Sequence, residues 1–126
     1  DGLDGILTYL TGTNAELVEG LIYLTPFVAT DTNAKIKAFV EEYETRHKET
    51  PDQFAADGYD AIYVIAAALK KANVTSAKNL NNAELISAMT KIEVDGLTGK
   101  MSFDSTGEPN KPAKVAKIVD GKYVAQ

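Results

Sequence analysis

The stretch FAADGYDAIYVIAAAL, residues 54–69, carries only two charged side chains, Asp57 and Asp60, and both lie in its first half. Tyr59, Ile62, Ala66 and Leu69 recur at helical spacing and read as packing residues, but the rest of the segment is apolar almost all round. A helix of that kind needs cover on more than one side, which predicts layered α/β packing rather than a lone amphipathic helix. Its start is well marked. TPDQ, residues 50–53, offers Thr50 as N-cap, Pro51 at the first helical position and Gln53 at the third, and Asp52 adds negative charge where the helix dipole favours it. Gly58 costs about 1 kcal/mol relative to alanine inside a helix, which predicts a close backbone approach or a break there. The helix is expected to end near KKAN, residues 70–73, with lysines in its last turn.

On the N-terminal side, residues 1–20 open with two Asp-Gly pairs and a short apolar patch, a loop leading into a short helix. LIYLTPF, residues 21–27, reads as a buried strand closed by Pro26. In residues 30–49, Ile36, Phe39, Val40 and Tyr43 form the stripe of an amphipathic helix, with Glu42–Arg46 and Glu44–Lys48 as candidate ion pairs on its outer face. Beyond the central helix, Asn81 and Glu84 form a second capping box ahead of a stripe of Leu85, Met89 and Ile92. After Asp95 the texture turns to β, with alternation at Met101 and Phe103 and a two-residue hairpin turn at Asp120-Gly121. Three helices share few strands, so the helix at 54–69 reads as an inner helix lacking part of its cover.

Composition narrows the function. The chain has 126 residues, 44% hydrophobic and 25% charged, the size of one globular domain. A net charge of -5 argues against a nucleic-acid partner, because such binding rests on neutralising phosphates. The absence of cysteine removes disulfides, thiol nucleophiles and thiolate metal sites. No apolar run approaches the roughly 20 residues needed to cross a bilayer. The chain begins at Asp1 without methionine or a signal-like segment, which reads as a processed protein or an excised piece.

Catalytic candidates are thin. His47, the single histidine, continues the stripe one turn past Tyr43 and reads as a surface or boundary residue. GLTG (96–99) and DSTGEP (104–109) match no phosphate-binding glycine pattern and read as turns. Asp1 and Asp4 lack the ligand spacing of a calcium loop; they make turns, or place a carboxylate at a cleft where it pairs with a ligand ammonium. Phe54 is either a core aromatic or a pocket wall. No catalysis, cofactor or metal is expected.

DGLDG (1–5), VEGLIYLTPF (18–27), the run from AKIKAF to ALKKA (34–72), VDGLTGKMSFDSTGEP (94–109) and VAKIVDGKYV (115–124) occur in an order and spacing that resemble a known family. It is the C-terminal part of the periplasmic branched-chain amino-acid binding proteins, the leucine/isoleucine/valine-binding-protein-like solute receptors of ABC importers; GYDAIY (58–63) is among the most telling motifs. The resemblance implies a portion of a type I periplasmic-binding-protein fold, two α/β sandwich lobes with mainly parallel sheets closing on an amino acid. By that likeness residues 1–24 belong to the C-terminal lobe, 25–95 supply helices of the N-terminal lobe, and 96–126 return to the hinge and C-terminal lobe. It also implies that Asp1, with Asp4 in reserve, binds the ligand's α-ammonium, and that Phe54 is a pocket aromatic. Leu3 stands where many relatives carry a bulkier aromatic.

The function expected is thus an extracytoplasmic amino-acid receptor, in a periplasmic or lipid-anchored setting, working with a membrane permease. The N-terminal part of the same protein would cover the apolar helix. Alone, the segment is expected to self-associate, as a dimer that swaps elements between copies. A sensory-receptor ectodomain of the same fold and a self-standing interaction module are the competing readings.

Overall fold

The computed structural model describes residue 3, residues 5–10 and residues 12–126. Elements follow the order α1 (Ile6–Tyr9), a 3-10 segment (Gly12–Val18), β1 (Ile22–Thr25), α2 (Ala34–His47), α3 (Gln53–Lys71), a second 3-10 turn (Ala77–Asn79), α4 (Asn82–Met89), β2 (Glu93–Asp95), β3 (Lys100–Phe103), β4 (Pro109–Asn110), β5 (Lys114–Val119) and β6 (Lys122–Ala125). This is the mixed α/β chain that the sequence predicts. The contacts divide it into two compact units, residues 1–56 with 113–126, and residues 57–112.

The first unit is built on a three-stranded sheet of order β1-β5-β6. Both strand pairs are antiparallel, as are β2-β3 and β3-β4 in the second unit, so no described pair has the parallel arrangement that the family resemblance implies. Antiparallel neighbours need only a tight turn, whereas parallel ones need a crossover of a dozen or more residues. The β5-β6 hairpin meets that condition: Asp120 (φ 50) and Gly121 (φ 69) are both left-handed, the pairing of a type I′ turn. Tyr23 and Thr25 of β1 and Ala116 and Ile118 of β5 are buried on one face. Ala116 lies opposite both Tyr23 and Ala125, and Tyr23 meets Tyr123 edge-on with ring centroids 5.9 Å apart. On the other face Ile22 and Leu24 are exposed. The segment 21–27 is therefore a half-buried strand rather than one buried on both sides, as its alternating burial shows.

In α2 the predicted stripe packs inward: Ile36 is buried, and Phe39 meets Phe27 edge-on at 6.0 Å. Burying an aliphatic side chain such as Ile36 contributes about 1.5–3 kcal/mol. Arg46 pairs with Glu42 as expected. Lys48 instead turns its ammonium to the Thr45 carbonyl at 2.8 Å, and Glu44 accepts from the Thr50 hydroxyl at 2.8 Å. That contact turns the hydroxyl assigned as the cap of α3 toward α2. Asp52 takes the role, its carboxylate accepting from the Ala55 N–H at 2.9 Å, and the helix starts at Gln53. Lys114 of β5 donates to Asp31 at 2.7 Å, and the Asn33 N–H adds a second hydrogen bond at 2.9 Å.

The second unit depends on Asp60. This carboxylate, 3% exposed on α3, accepts from the Leu97 N–H at 2.7 Å, the Thr98 N–H at 2.9 Å and the Thr98 hydroxyl at 2.7 Å. The loop comes so close that a methyl group at Gly96 would overlap the carboxylate, which explains the glycine after Asp95. Lys111 bridges Asp57 at 3.1 Å and the Thr98 hydroxyl at 3.2 Å, closing the network. Gly58 shows neither of the features its sequence position predicts. The helix runs through it, and a Cβ there would meet nothing within 4 Å, because the residue lies on the exposed side. α4 begins at its predicted cap, with the Asn81 side chain accepting from the Ala83 N–H at 3.0 Å, but it ends at Met89, and Ile92 of the predicted stripe falls beyond it.

The buried stripe of α3 is narrow and mostly small, Ala56, Asp60, Val64 and Ala68, while Phe54, Ile62, Tyr63 and Ile65 are exposed. No described helix is long and apolar enough to cross a membrane.

Two outcomes are expected in urea denaturation. Asp60→Ala orphans two buried N–H groups at about 1–3 kcal/mol each and should cost about 2–6 kcal/mol; Gly96→Ala should also destabilise strongly. A loss under about 0.5 kcal/mol for Asp60→Ala, the range of a neutral surface change, would refute this role. For Asp31, burial raises the carboxyl pKa, but the Lys114 hydrogen bond, the Asn33 N–H and the Lys114 charge outweigh it and hold the pKa below the ordinary value. Its stabilisation is thus present at neutral pH and lost as pH falls below about 4, through the lowered folded-state value. Asp31→Asn should lower stability at pH 7, by a margin that shrinks as pH falls through the lowered folded-state value and the carboxylate of the unsubstituted protein becomes protonated as well. An undiminished margin at the acidic pH would contradict the assignment.

Candidate functional site

The first unit contains an open cleft of about 750 Å³. Ligand pockets usually span about 300–1,000 Å³. Four stretches line it: Gly5, Leu7 and Thr8 beside α1; Tyr23 and residues 27–30 at and after the end of β1; Val40, Glu44 and residues 49–53 from α2 to the first residue of α3; and Gly121, Lys122 and Tyr123 of the hairpin. Residues distant in sequence meet here because hydrogen bonds join the walls. The Leu7 N–H donates to the Tyr123 hydroxyl at 3.1 Å. The Thr30 hydroxyl donates to the Tyr123 carbonyl at 3.0 Å and accepts from the Ala125 N–H at 3.2 Å. Thr25, buried at the end of β1, donates to Gln53 Oε1 at 3.2 Å and stitches the strand to the start of α3.

The lining combines hydrocarbon and charge. Tyr23, Phe27 and Val28 supply buried apolar surface, and Leu3, Tyr123 and Ala125 pack against the Tyr23–Val28–Ala116 cluster. Glu44, Glu49 and Asp52 outnumber the single lysine, Lys122, so the described lining is net acidic. An amphiphilic ligand carrying a cationic group suits that combination better than a purely apolar one.

Of the residues singled out from the sequence, Asp1 and Asp4 lie outside the described residues. Their sequence neighbours are informative: Leu3 packs on the cluster behind the cleft and Gly5 lines it. Phe54 sits in the first turn of α3 with 66% of its surface exposed, and the adjacent Gln53, not Phe54, lines the cleft. His47 is exposed and stacks on Tyr43 at a centroid distance of 4.4 Å. Asp104 organises the DSTGEP turn by accepting from the Thr106 and Glu108 N–H groups at 2.8 and 3.1 Å. Among the described residues no group of three or more His, Cys, Asp or Glu could hold a metal ion. Sequence reasoning missed Gln53, treated only as a helix-start residue, although its side chain joins two walls of the cleft.

Comparison with known proteins fits this geometry. A family model described as periplasmic binding protein matches residues 2–122. A solute-binding protein of an ABC transporter from R. palustris, solved in complex with benzoate, is similar at 25% identity and a TM-score of 0.76, over 97% of this chain and 32% of that one. A leucine binding protein from Thermotoga maritima matches at 25% identity and a TM-score of 0.69, over 90% of this chain and 31% of that one. A leucine-, isoleucine-, valine-, threonine- and alanine-binding protein from Brucella ovis shares the fold at 22% identity and a TM-score of 0.76, over 98% of this chain and 33% of that one. The chain thus spans about a third of the length of these structures. With a match that runs through nearly all of its residues, the chain belongs to the periplasmic binding protein family.

Proposed function

We propose that this chain is part of the extracytoplasmic solute-binding component of an ABC importer, and that its solute is an amino acid, branched-chain or related. The observation that carries the reading is the cleft, whose apolar walls and net acidic lining suit a ligand with both a hydrocarbon side chain and an ammonium group. In this reading Asp1, with Asp4 in reserve, pairs with the α-ammonium, an assignment supported by the position of Gly5 in the lining. Phe54, exposed next to Gln53 and outside the described lining, is the proposed aromatic contact. No bond is made or broken. Binding favours a closed conformation through contacts made better there than in the open one, and the permease receives the closed form.

The lobe assignment belongs to the same proposal. The pairing of β1 with β5 supports placing residues up to about Leu24 together with the C-terminal strands. The remaining polypeptide of the same protein, in its N-terminal part, covers the exposed side of α3. The apolar residues there, Ile62, Tyr63 and Ile65, support this, together with the threefold greater length of the related structures. Without that cover, two copies of the segment pair by exchanging elements. Light scattering should find the 126-residue chain self-associated and the product of the complete gene monomeric; a compact monomer of the short chain at high concentration would speak against the shared cover.

The functional test is calorimetry on the product of the complete gene with a panel of amino acids. Leucine, isoleucine or valine should bind saturably, and Asp1→Asn should weaken binding about 10-fold or more, the scale of a lost charge-assisted hydrogen bond. Absence of heat with every amino acid would overturn the reading.

A further inference from the structure

α1 has four residues, and isolated helices shorter than about 12 residues are marginal in water, so contacts with the rest of its unit must set its place. Leu3 provides one such contact by packing on the Tyr23–Val28–Ala116 cluster. Leu7 provides another, its N–H donating to the Tyr123 hydroxyl at 3.1 Å. That amide lies in the first turn of α1, where an N–H has no intrahelical acceptor, and Tyr123 supplies one. Between the two tethers the Ile6 N–H reaches the Leu3 carbonyl at 3.1 Å. Tyr123 is itself fixed. Its ring meets Tyr23 edge-on, it lies opposite the buried Ile118 in the β5-β6 pair, and its carbonyl accepts from the Thr30 hydroxyl at 3.0 Å. The packing needs only an aromatic ring; the hydroxyl serves separately, in docking α1.

We infer that Tyr123 is a positioning residue of the solute site: by accepting from the Leu7 N–H it sets where the stretch that opens DGLDG meets the cleft, and with it the carboxylate that pairs with the solute's ammonium. This rests on the reading that Asp1, or Asp4, takes that role. Gly5, Leu7 and Thr8 line the cleft, and Asp4 directly precedes Gly5 in sequence, so the tether that seats this wall governs the approach of the carboxylate. A charge-assisted hydrogen bond is strong at about 2.7–2.9 Å, and a binding group must be held within about 0.5 Å of its productive position. A loosened wall therefore weakens the ammonium contact without removing any group that touches the solute.

The product of the complete gene tests this by calorimetry with L-leucine in a double-mutant cycle. Tyr123→Phe keeps the ring and removes the acceptor. It should retain a cooperative thermal transition and weaken L-leucine binding by about 5-fold or more, within the range of couplings between residues that act together. The second arm is whichever of Asp1→Asn and Asp4→Asn weakens L-leucine more. In that background the charge whose placement Tyr123 governs is absent, so Tyr123→Phe should cost less than about a further 2-fold. A residue that only supports the fold would cost the same factor in both backgrounds. That result, unchanged affinity in Tyr123→Phe, or loss of its cooperative transition would overturn the assignment and leave the cleft reading intact. If neither aspartate variant weakened binding, or the unsubstituted protein took up no L-leucine, the ammonium reading and this assignment would fall together.

Discussion

A buried carboxylate on an otherwise apolar helix is costly unless every oxygen is engaged, and Asp60 meets that constraint with three hydrogen bonds from the loop after β2. The requirement runs in both directions. Asp60 needs donors, and the Leu97 and Thr98 N–H groups, buried with their residues, need an acceptor. Glycine at position 96 allows the approach, and Lys111 adds a cation to Thr98 and Asp57. The sheet of the second unit is thereby tied to α3. The motifs GYDA and DGLTG, 35 residues apart in numbering from Asp60 to Asp95, are the two halves of one interaction.

Much of this architecture could be read in advance where local chemistry decides it. The hairpin at Asp120-Gly121 formed because only left-handed residues fit its turn, and the Asn81 cap formed because its side-chain oxygen reaches the N–H groups two and three residues on. Spacing does not reveal that the Thr50 hydroxyl turns to Glu44, six residues earlier, while Asp52 accepts from the first turn of α3 instead. Gly58 was misread because a glycine on an exposed helix face leaves the same mark in a sequence as one at a close approach. Asp60 stood out as a charge in an apolar run, but its partners lie 37 and 38 residues away, and periodicity carries no information about them.

The cleft was less legible still. The family resemblance drew attention to Asp1, Asp4 and Phe54, whereas the described walls include Gln53 and Tyr123, which lie in matching stretches but have no local signature of a binding role. What unites them is hydrogen bonding between the end of β1, the start of α3 and the hairpin. A strand terminus and a helix start brought together by side-chain hydrogen bonds make a rigid frame, and polar groups mounted on such a frame can discriminate between solutes.

The central claim is that this frame holds a solute. A co-crystal structure of the product of the complete gene with L-leucine tests it most directly. The account predicts leucine bounded by residues 5–8, 27–30, 49–53 and 121–123. Leucine bound elsewhere, with this cleft filled only by water, would contradict it.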